Sequence, residues 1–153
     1  MVKSFQGVRE IPVKNGRDQK ILIKDFMTAN VITFHPDDTI DYVMEVLTRK
    51  KISGGPVLDS MGQLVGMISE GDCLKAISKG QYTNTPRFPA PVSELMTKEV
   101  ITMHPELSIF DAAQEFLALK IRRFPVVKDG KLLGQLSVSD IVRAMAKLKS
   151  ATW

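Results

Sequence analysis

Gly66-Met67-Ile68-Ser69-Glu70-Gly71-Asp72 returns further along the chain as Gly134-Gln135-Leu136-Ser137-Val138-Ser139-Asp140. Each copy sets a glycine, two residues able to finish a strand, a serine, two spacers and an aspartate ahead of an apolar helical run. A hydroxyl and a carboxylate are thereby placed at a strand-to-helix junction, where the N–H groups of the first helical turn have no intrahelical partner. Such a junction suits a ligand that carries hydroxyls and negative charge. The same spacing also suits a capping box, with serine at the N-cap and an acid three residues on, and that reading needs no ligand.

Working outward, the duplication extends over most of the chain. At an offset of 69, Met27-Thr28 falls on Met96-Thr97, Val31-Ile32-Thr33 on Val100-Ile101-Thr102, His35-Pro36 on His104-Pro105 and Pro56-Val57 on Pro125-Val126. One residue is lost near the hairpin, after which the offset is 68 and Gly66, Ser69, Asp72 and Ala76 meet Gly134, Ser137, Asp140 and Ala144. About 18 identities in about 50 aligned positions, colinear with a single gap, mark an internal repeat. Each copy reads β-α-β-β-α. In the first, Ile21-Leu22-Ile23 is a short strand and Val31 to Phe34 a β-branched buried strand. Thr39 caps a helix whose apolar face holds Ile40, Val43, Met44, Val46 and Leu47 and which stops near Lys50-Lys51. Asp59-Ser60-Met61-Gly62 is the turn of a hairpin, and a helix from Asp72 to Lys79 ends at Gly80.

Two strands and one helical face cannot bury themselves alone, so two copies packed sheet to sheet about a pseudo-two-fold axis form the expected α/β (α+β) fold. The expected segments are an extension over 1–20, a first repeat over 21–80, a Pro-rich linker over 81–92, a second repeat over 93–149 and a tail over 150–153. Pro86, Pro89 and Pro91 identify the linker.

Composition narrows the function. The chain has 153 residues and a formal charge of +4, with 21 basic and 17 acidic side chains. The surplus favours anionic ligands, but no basic run follows a nucleic-acid backbone. Cys73 is the only cysteine, so no disulfide can form within the chain and a thiolate metal cage is not expected. His35 and His104 each precede a proline and lack clustered partners, which argues for turn or wall positions rather than metal ligands. No segment approaches the ~20 apolar residues of a membrane span, and a cytoplasmic protein is expected.

The ordered recurrence of Met-Thr, Val-Ile-Thr, Pro-Val, the hairpin and Gly-x-x-Ser-x-x-Asp resembles a CBS-domain pair, or Bateman module, from residue 21 to about 147. The resemblance implies a stand-alone regulatory module that is not an enzyme and binds AMP, ADP or ATP, with S-adenosylmethionine as a further candidate. It implies two clefts that each draw on both repeats. One would combine Ser69 and Asp72 with His104, Ile109, Ile121, Arg122 and Arg123. The other would combine Ser137, Ser139 and Asp140 with Thr33, His35, Ile40, Ile52 and Ser53. The aspartate would hold ribose hydroxyls and the arginines phosphate, so the Asp72 cleft is expected to favour the more highly charged ligand. The resemblance further implies a homodimer, a disc of four repeats, signalling to an effector protein. Helical faces including Val43, Leu47, Ala112 and Phe116 are expected at its interface. A ligand-free docking module, its Ser/Asp junctions serving only as caps, is the competing expectation. No loop of the Gly-x-x-x-x-Gly-Lys type and no nucleophile–base pair points to catalysis.

Overall fold

A computed structural model of the chain describes residues 7–13, 21–83 and 88–152. The elements are β1 (Val8–Ile11), α1 (Ile40–Lys50), β2 (Gly54–Leu58), β3 (Leu64–Ser69), α2 (Glu70–Thr83), α3 (Val92–Leu95), β4 (Val100–Met103), α4 (Ile109–Leu119), β5 (Arg123–Lys128), β6 (Lys131–Ser137) and α5 (Val138–Thr152). Expectations for residues 1–6 and 14–20, for the linker residues 84–87 and for Trp153 fall outside the described residues.

The chain folds as two compact units. One is formed around Ile32–Val100 and holds the two-stranded β2-β3 sheet. The other gathers the described parts of Arg9–Val31 and Ile101–Trp153 and holds a four-stranded sheet in the order β1-β4-β5-β6. Residues 21–31, the leader of the first repeat, thus pack with the strands of the second. The leader of the second repeat, from Val92 to Val100, packs with the strands of the first.

Local chemistry accounts for the matching parts of the two units. Thr39 Oγ1 accepts the N–H of Tyr42 at 3.2 Å and Ser108 Oγ that of Asp111 at 3.1 Å, capping α1 and α4. Both helices end on a left-handed lysine, Lys51 and Lys120, each with φ of 55°. In the first hairpin Asp59 Oδ1 accepts from the N–H groups of both Met61 and Gln63, and Gly62 takes the positive φ of the turn. The β2–β3 unit closes over Phe34, Ile40, Val43, Val46, Leu47, Val57 and Ile68. The β4–β6 unit closes over Ile23, Met103, Leu107, Ile109, Phe116, Phe124, Val126 and Leu136.

Several expectations are corrected. Val31 to Phe34 is not a strand; only Phe34 makes a bridge, parallel to Val57. Its twin, Val100–Met103, is a strand because β1 lies along its other side. Ile21 to Ile23 is likewise no strand: Leu22 makes one bridge to Ser108 and Ile23–Asp25 forms a 3-10 turn. Gly80 does not end α2, which runs to Thr83; its missing side chain leaves room for the ring of Phe88. Val43, Leu47, Ala112 and Phe116 lie in the two cores and have no free face to lend an interface. Apolar residues that do reach the surface include Leu74 and Ile77 on α2, Phe110 and Leu117 on α4, and Val142 and Met145 on α5.

Candidate functional site

The glycine that opens each Ser/Asp motif is required by a crossing chain. At Gly66 the Met96-Thr97 leader runs against β3, with Met67 and Thr97 exchanging backbone hydrogen bonds of 2.9 and 2.8 Å. At Gly134 the Met27-Thr28 leader runs against β6, with Gln135 and Thr28 exchanging bonds of 2.9 Å each way. A Cβ on Gly134 would lie 2.5 Å from the Thr28 carbonyl oxygen and 2.9 Å from Met27 Sδ. The repeated Met-Thr and the repeated glycine are therefore two sides of one contact.

Beyond this crossing the strand ends in serine and the helix begins. Asp72 is 5% exposed, and its Oδ2 accepts the Ser69 N–H at 2.9 Å and the Ser69 hydroxyl at 3.2 Å. Asp140 is also 5% exposed, and its Oδ2 accepts the Ser137 N–H at 2.8 Å while Ser137 Oγ accepts the Asp140 N–H at 3.2 Å. The reciprocal capping box is formed at Ser137 and Asp140, whereas at Ser69 both bonds run to Asp72 Oδ2. They do not exhaust the carboxylates, each of which offers about four acceptor sites. Asp72 Oδ1 has no partner among the described residues. Asp140 Oδ1 accepts from Arg143 Nη2 at 2.6 Å, so that each oxygen of Asp140 keeps one site open. Each junction can still receive two hydroxyls.

The other expected residues sort by unit. Beside Ser69 and Asp72 lie Ser53, whose carbonyl accepts the Glu70 N–H at 2.9 Å, and Ile52, which packs on the core. The same unit holds Thr33, which is exposed, and His35, whose Nδ1 accepts the Asp37 N–H at 3.1 Å. Beside Ser137, Ser139 and Asp140 lie Arg122, whose carbonyl accepts the Val138 N–H at 3.3 Å, and Arg123, which pairs with Ser137 across the sheet. His104 belongs to this unit too, with Nδ1 accepting the Glu106 N–H at 3.1 Å, and Ile121 packs on its core. Ile40 and Ile109 are core side chains at 0% and 2% exposure. The structure thus sets Arg122 beside Val138 and Arg123 opposite Ser137, whereas the set that joins them to Asp72 draws on residues of different units. Sequence reasoning missed Arg143, visible as a cation three residues after Asp140.

Burial, and then the negative charges of Asp72 and Glu70, push the Cys73 thiol up from its ordinary value, which disfavours the nucleophilic thiolate. Among the described residues no three His, Cys, Asp or Glu side chains are grouped to hold a metal ion, and no helix is long and apolar enough to cross a membrane.

A duplicated α/β repeat, with a serine and a buried aspartate at the same strand-to-helix junction in each copy, defines a tandem module. The chain belongs to the CBS domain family, whose model matches residues 23–79 and 92–147. It is 33% identical over 175 residues to the chloroplastic CBS domain-containing protein CBSX2 of Arabidopsis thaliana, covering 97% of this chain and 72% of that protein. The crystal structure of CBSX2 in complex with AMP is similar with a TM-score of 0.75 and 34% identity, over 84% of this chain and 98% of that one. The CBS domain pair of protein MJ0100, in complex with 5′-methylthioadenosine and S-adenosyl-L-methionine, is similar with a TM-score of 0.71 and 28% identity, over 83% and 97% of the two chains.

Proposed function

We propose that this chain is a regulatory module that binds adenosine-containing ligands, AMP, ADP or ATP and by the same chemistry S-adenosylmethionine, at its two Ser/Asp junctions. The observation that carries this reading is the pair of buried aspartates, each with acceptor capacity left after its cap is made. A ribose offers two adjacent hydroxyls, and hydrogen bonds to a charged acceptor are worth roughly 1.5–3 kcal/mol each. Asp72 and Asp140 hold the ribose in this reading. Ser69, Ser137 and Ser139 stand beside it, and Arg122, Arg123 and the helix N-termini receive phosphate. Thr33, His35, Ile40, Ile52 and Ser53, with His104, Ile109 and Ile121, furnish the surroundings of the base. The two similar structures that hold AMP, or 5′-methylthioadenosine with S-adenosyl-L-methionine, support this ligand class. The role is regulatory rather than catalytic, with a cytoplasmic setting and an effector protein as the receiver of the signal.

Thermal unfolding with each of these ligands tests the reading. At a ligand concentration near 100 times Kd, the wild type is expected to gain about 2.7 kcal/mol, a rise of several degrees in Tm. Asp72→Ala/Asp140→Ala is expected to lose that rise. A second reading, a ligand-free docking module, has the capping box formed at Ser137 and Asp140 in its favour; it takes over if none of the ligands moves the wild-type Tm.

We infer further that the chain works as a homodimer, a disc of four repeats. The repeated exposed pairs Leu74/Ile77 and Val142/Met145, equivalent at an offset of 68, support this association. Light scattering on a size-exclusion column is expected to give twice the mass of 17.0 kDa, and a mass of one chain that holds on concentration would count against it.

A further inference from the structure

The two Ser/Asp junctions share a backbone path but carry opposite charge. At the Asp140 junction, Arg123 stands directly across the sheet from Ser137, so their side chains rise from one face with Cβ atoms roughly 5 Å apart. The exposed Arg122 accepts the Val138 N–H at its carbonyl, and Arg143 Nη2 reaches Asp140 Oδ1 at 2.6 Å. At the Asp72 junction each of these places is filled differently. Gly54 stands across from Ser69, and Ser53 accepts the N–H not of a valine but of Glu70. Lys75 holds the place of Arg143 and makes no ion pair with Asp72 among the described residues. Equivalent positions therefore hold three arginines and one acid around Asp140, against one lysine and two acids around Asp72. The first repeat also has no room for the cation that the second carries. A Cβ on Gly54 would lie 2.5 Å from the Ile68 carbonyl oxygen and 3.2 Å from Ser69 Cβ, so a side chain in the place of Arg123 would force β2 and β3 apart.

We propose that the two junctions are tuned to adenosine ligands of different charge. The Asp140 junction takes the phosphorylated ligand, AMP, ADP or ATP. The Asp72 junction takes an uncharged or cationic one, 5′-methylthioadenosine or S-adenosylmethionine. A ribose suits both, since each aspartate keeps acceptor sites, and the group on its 5′ carbon decides between them. A phosphate gains from three arginines and loses beside Glu70 and an unneutralised Asp72, and charges within roughly 8 Å are only partly screened at physiological salt. A sulfonium with its ammonium group is drawn the other way. The chain then holds two different molecules at once and responds to two ligand pools. This assignment is the reverse of the one implied by the resemblance, and it rests on reading the junctions as ribose sites.

Two-dimensional 15N spectra of the full chain distinguish the sites, because the Ser69 and Ser137 amides each donate to the aspartate of their own junction. AMP is expected to shift the Ser137 amide at a concentration at least about tenfold below that needed for Ser69, the scale set by a difference of three charges at this range. Adenosine is expected to close the gap and S-adenosylmethionine to invert it. Raising NaCl from about 0.05 M to about 0.5 M should shrink the AMP gap by screening. Arg143→Gln and Glu70→Val, both at exposed side chains, are each expected to narrow it as well. AMP filling both junctions at one concentration, the same gap for all three ligands, or a gap that neither salt nor the variants change overturns the charge assignment and leaves the ribose reading standing. No shift at either amide with any of the three overturns the ribose reading itself.

Discussion

Phe124→Ala is expected to destabilise the β4–β6 unit by about 3–5 kcal/mol, the cost of truncating a fully buried aromatic ring whose space cannot refill. Phe124 is 0% exposed and meets Phe116 edge to face, with ring centroids 4.8 Å apart. The repeat shows why the space stays open. The position equivalent to Phe124 is Gly55, and a Cβ there would lie 3.3 Å from the ring of Phe34. The β2–β3 unit thus fills this part of its core with Phe34 and keeps position 55 bare. The β4–β6 unit has Met103 where the other has Phe34, and Phe124 where the other has glycine. Both equivalent positions differ, Met103 for Phe34 and Phe124 for Gly55, and through this exchange the β4–β6 unit holds two large side chains where the other holds one. With Phe124 cut back, Met103 is the only large side chain of the pair. Urea unfolding and calorimetry measure the loss, expected as a fall of roughly 10–20 °C in Tm. A change below ~1 kcal/mol would mean that the core collapses onto the gap, and the complementary-packing account would fail.

The same exchange shows how far the sequence alone could be read. Ser69, Asp72 and their twins were legible as junction residues because their spacing is set by one local geometry, the step from strand to first helical turn. The cap at Thr39 and the turn at Asp59 were legible for the same reason, since each is made within four residues. What depended on distant partners was not. Val31-Ile32-Thr33 and Val100-Ile101-Thr102 are the same three residues in the same order, yet β4 begins at Val100 and no strand begins at Val31. The difference lies in β1, a segment outside the repeat. Helical periodicity marked Val43, Leu47, Ala112 and Phe116 as an apolar face without saying what covers it, and the covering turned out to be each unit's own core. The antiparallel register that sets Arg123 opposite Ser137 was likewise a long-range pairing.

Capping and ligand binding, weighed against each other in the sequence, are compatible at the level of single oxygen atoms. The cap uses Asp140 Oδ2 for one backbone N–H and the helix uses Oδ1 for Arg143, which leaves one acceptor site on each. Asp72 is loaded differently, with both Ser69 bonds on Oδ2 and none among the described residues on Oδ1. The two junctions share a sequence pattern and a backbone path, but they present different unused acceptors. Arg143, 67% exposed along its side chain, reaches the buried Asp140 from the solvent side.

Gly134→Ala is expected to destabilise the chain by at least ~1–3 kcal/mol, the range for overpacking. The added carbon would lie 2.5 Å from the carbonyl oxygen of Thr28, a backbone atom held by its own hydrogen bond to Gln135. Relief requires the whole Met27-Thr28 leader to lift off β6. Gly66→Ala is expected to cost less. There the nearest atom, at 2.5 Å, is Met96 Sδ, near the end of a flexible side chain, and the Thr97 carbonyl oxygen lies at 3.0 Å. The ordering is the sharper claim, since both changes add the same methyl to the same motif. It carries a functional consequence as well. Lifting the leader breaks the two Thr28–Gln135 bonds that hold β6 straight up to Ser137, so Gly134→Ala should weaken nucleotide-induced stabilisation at the Asp140 junction more than Gly66→Ala does at the Asp72 junction. Denaturant midpoints and ligand-dependent Tm shifts for the two variants, measured side by side, decide it. Equal midpoints, or a larger loss for Gly66→Ala, would show that side-chain sulfur and backbone carbonyl yield alike, and that the crossing leader is not what the glycine protects.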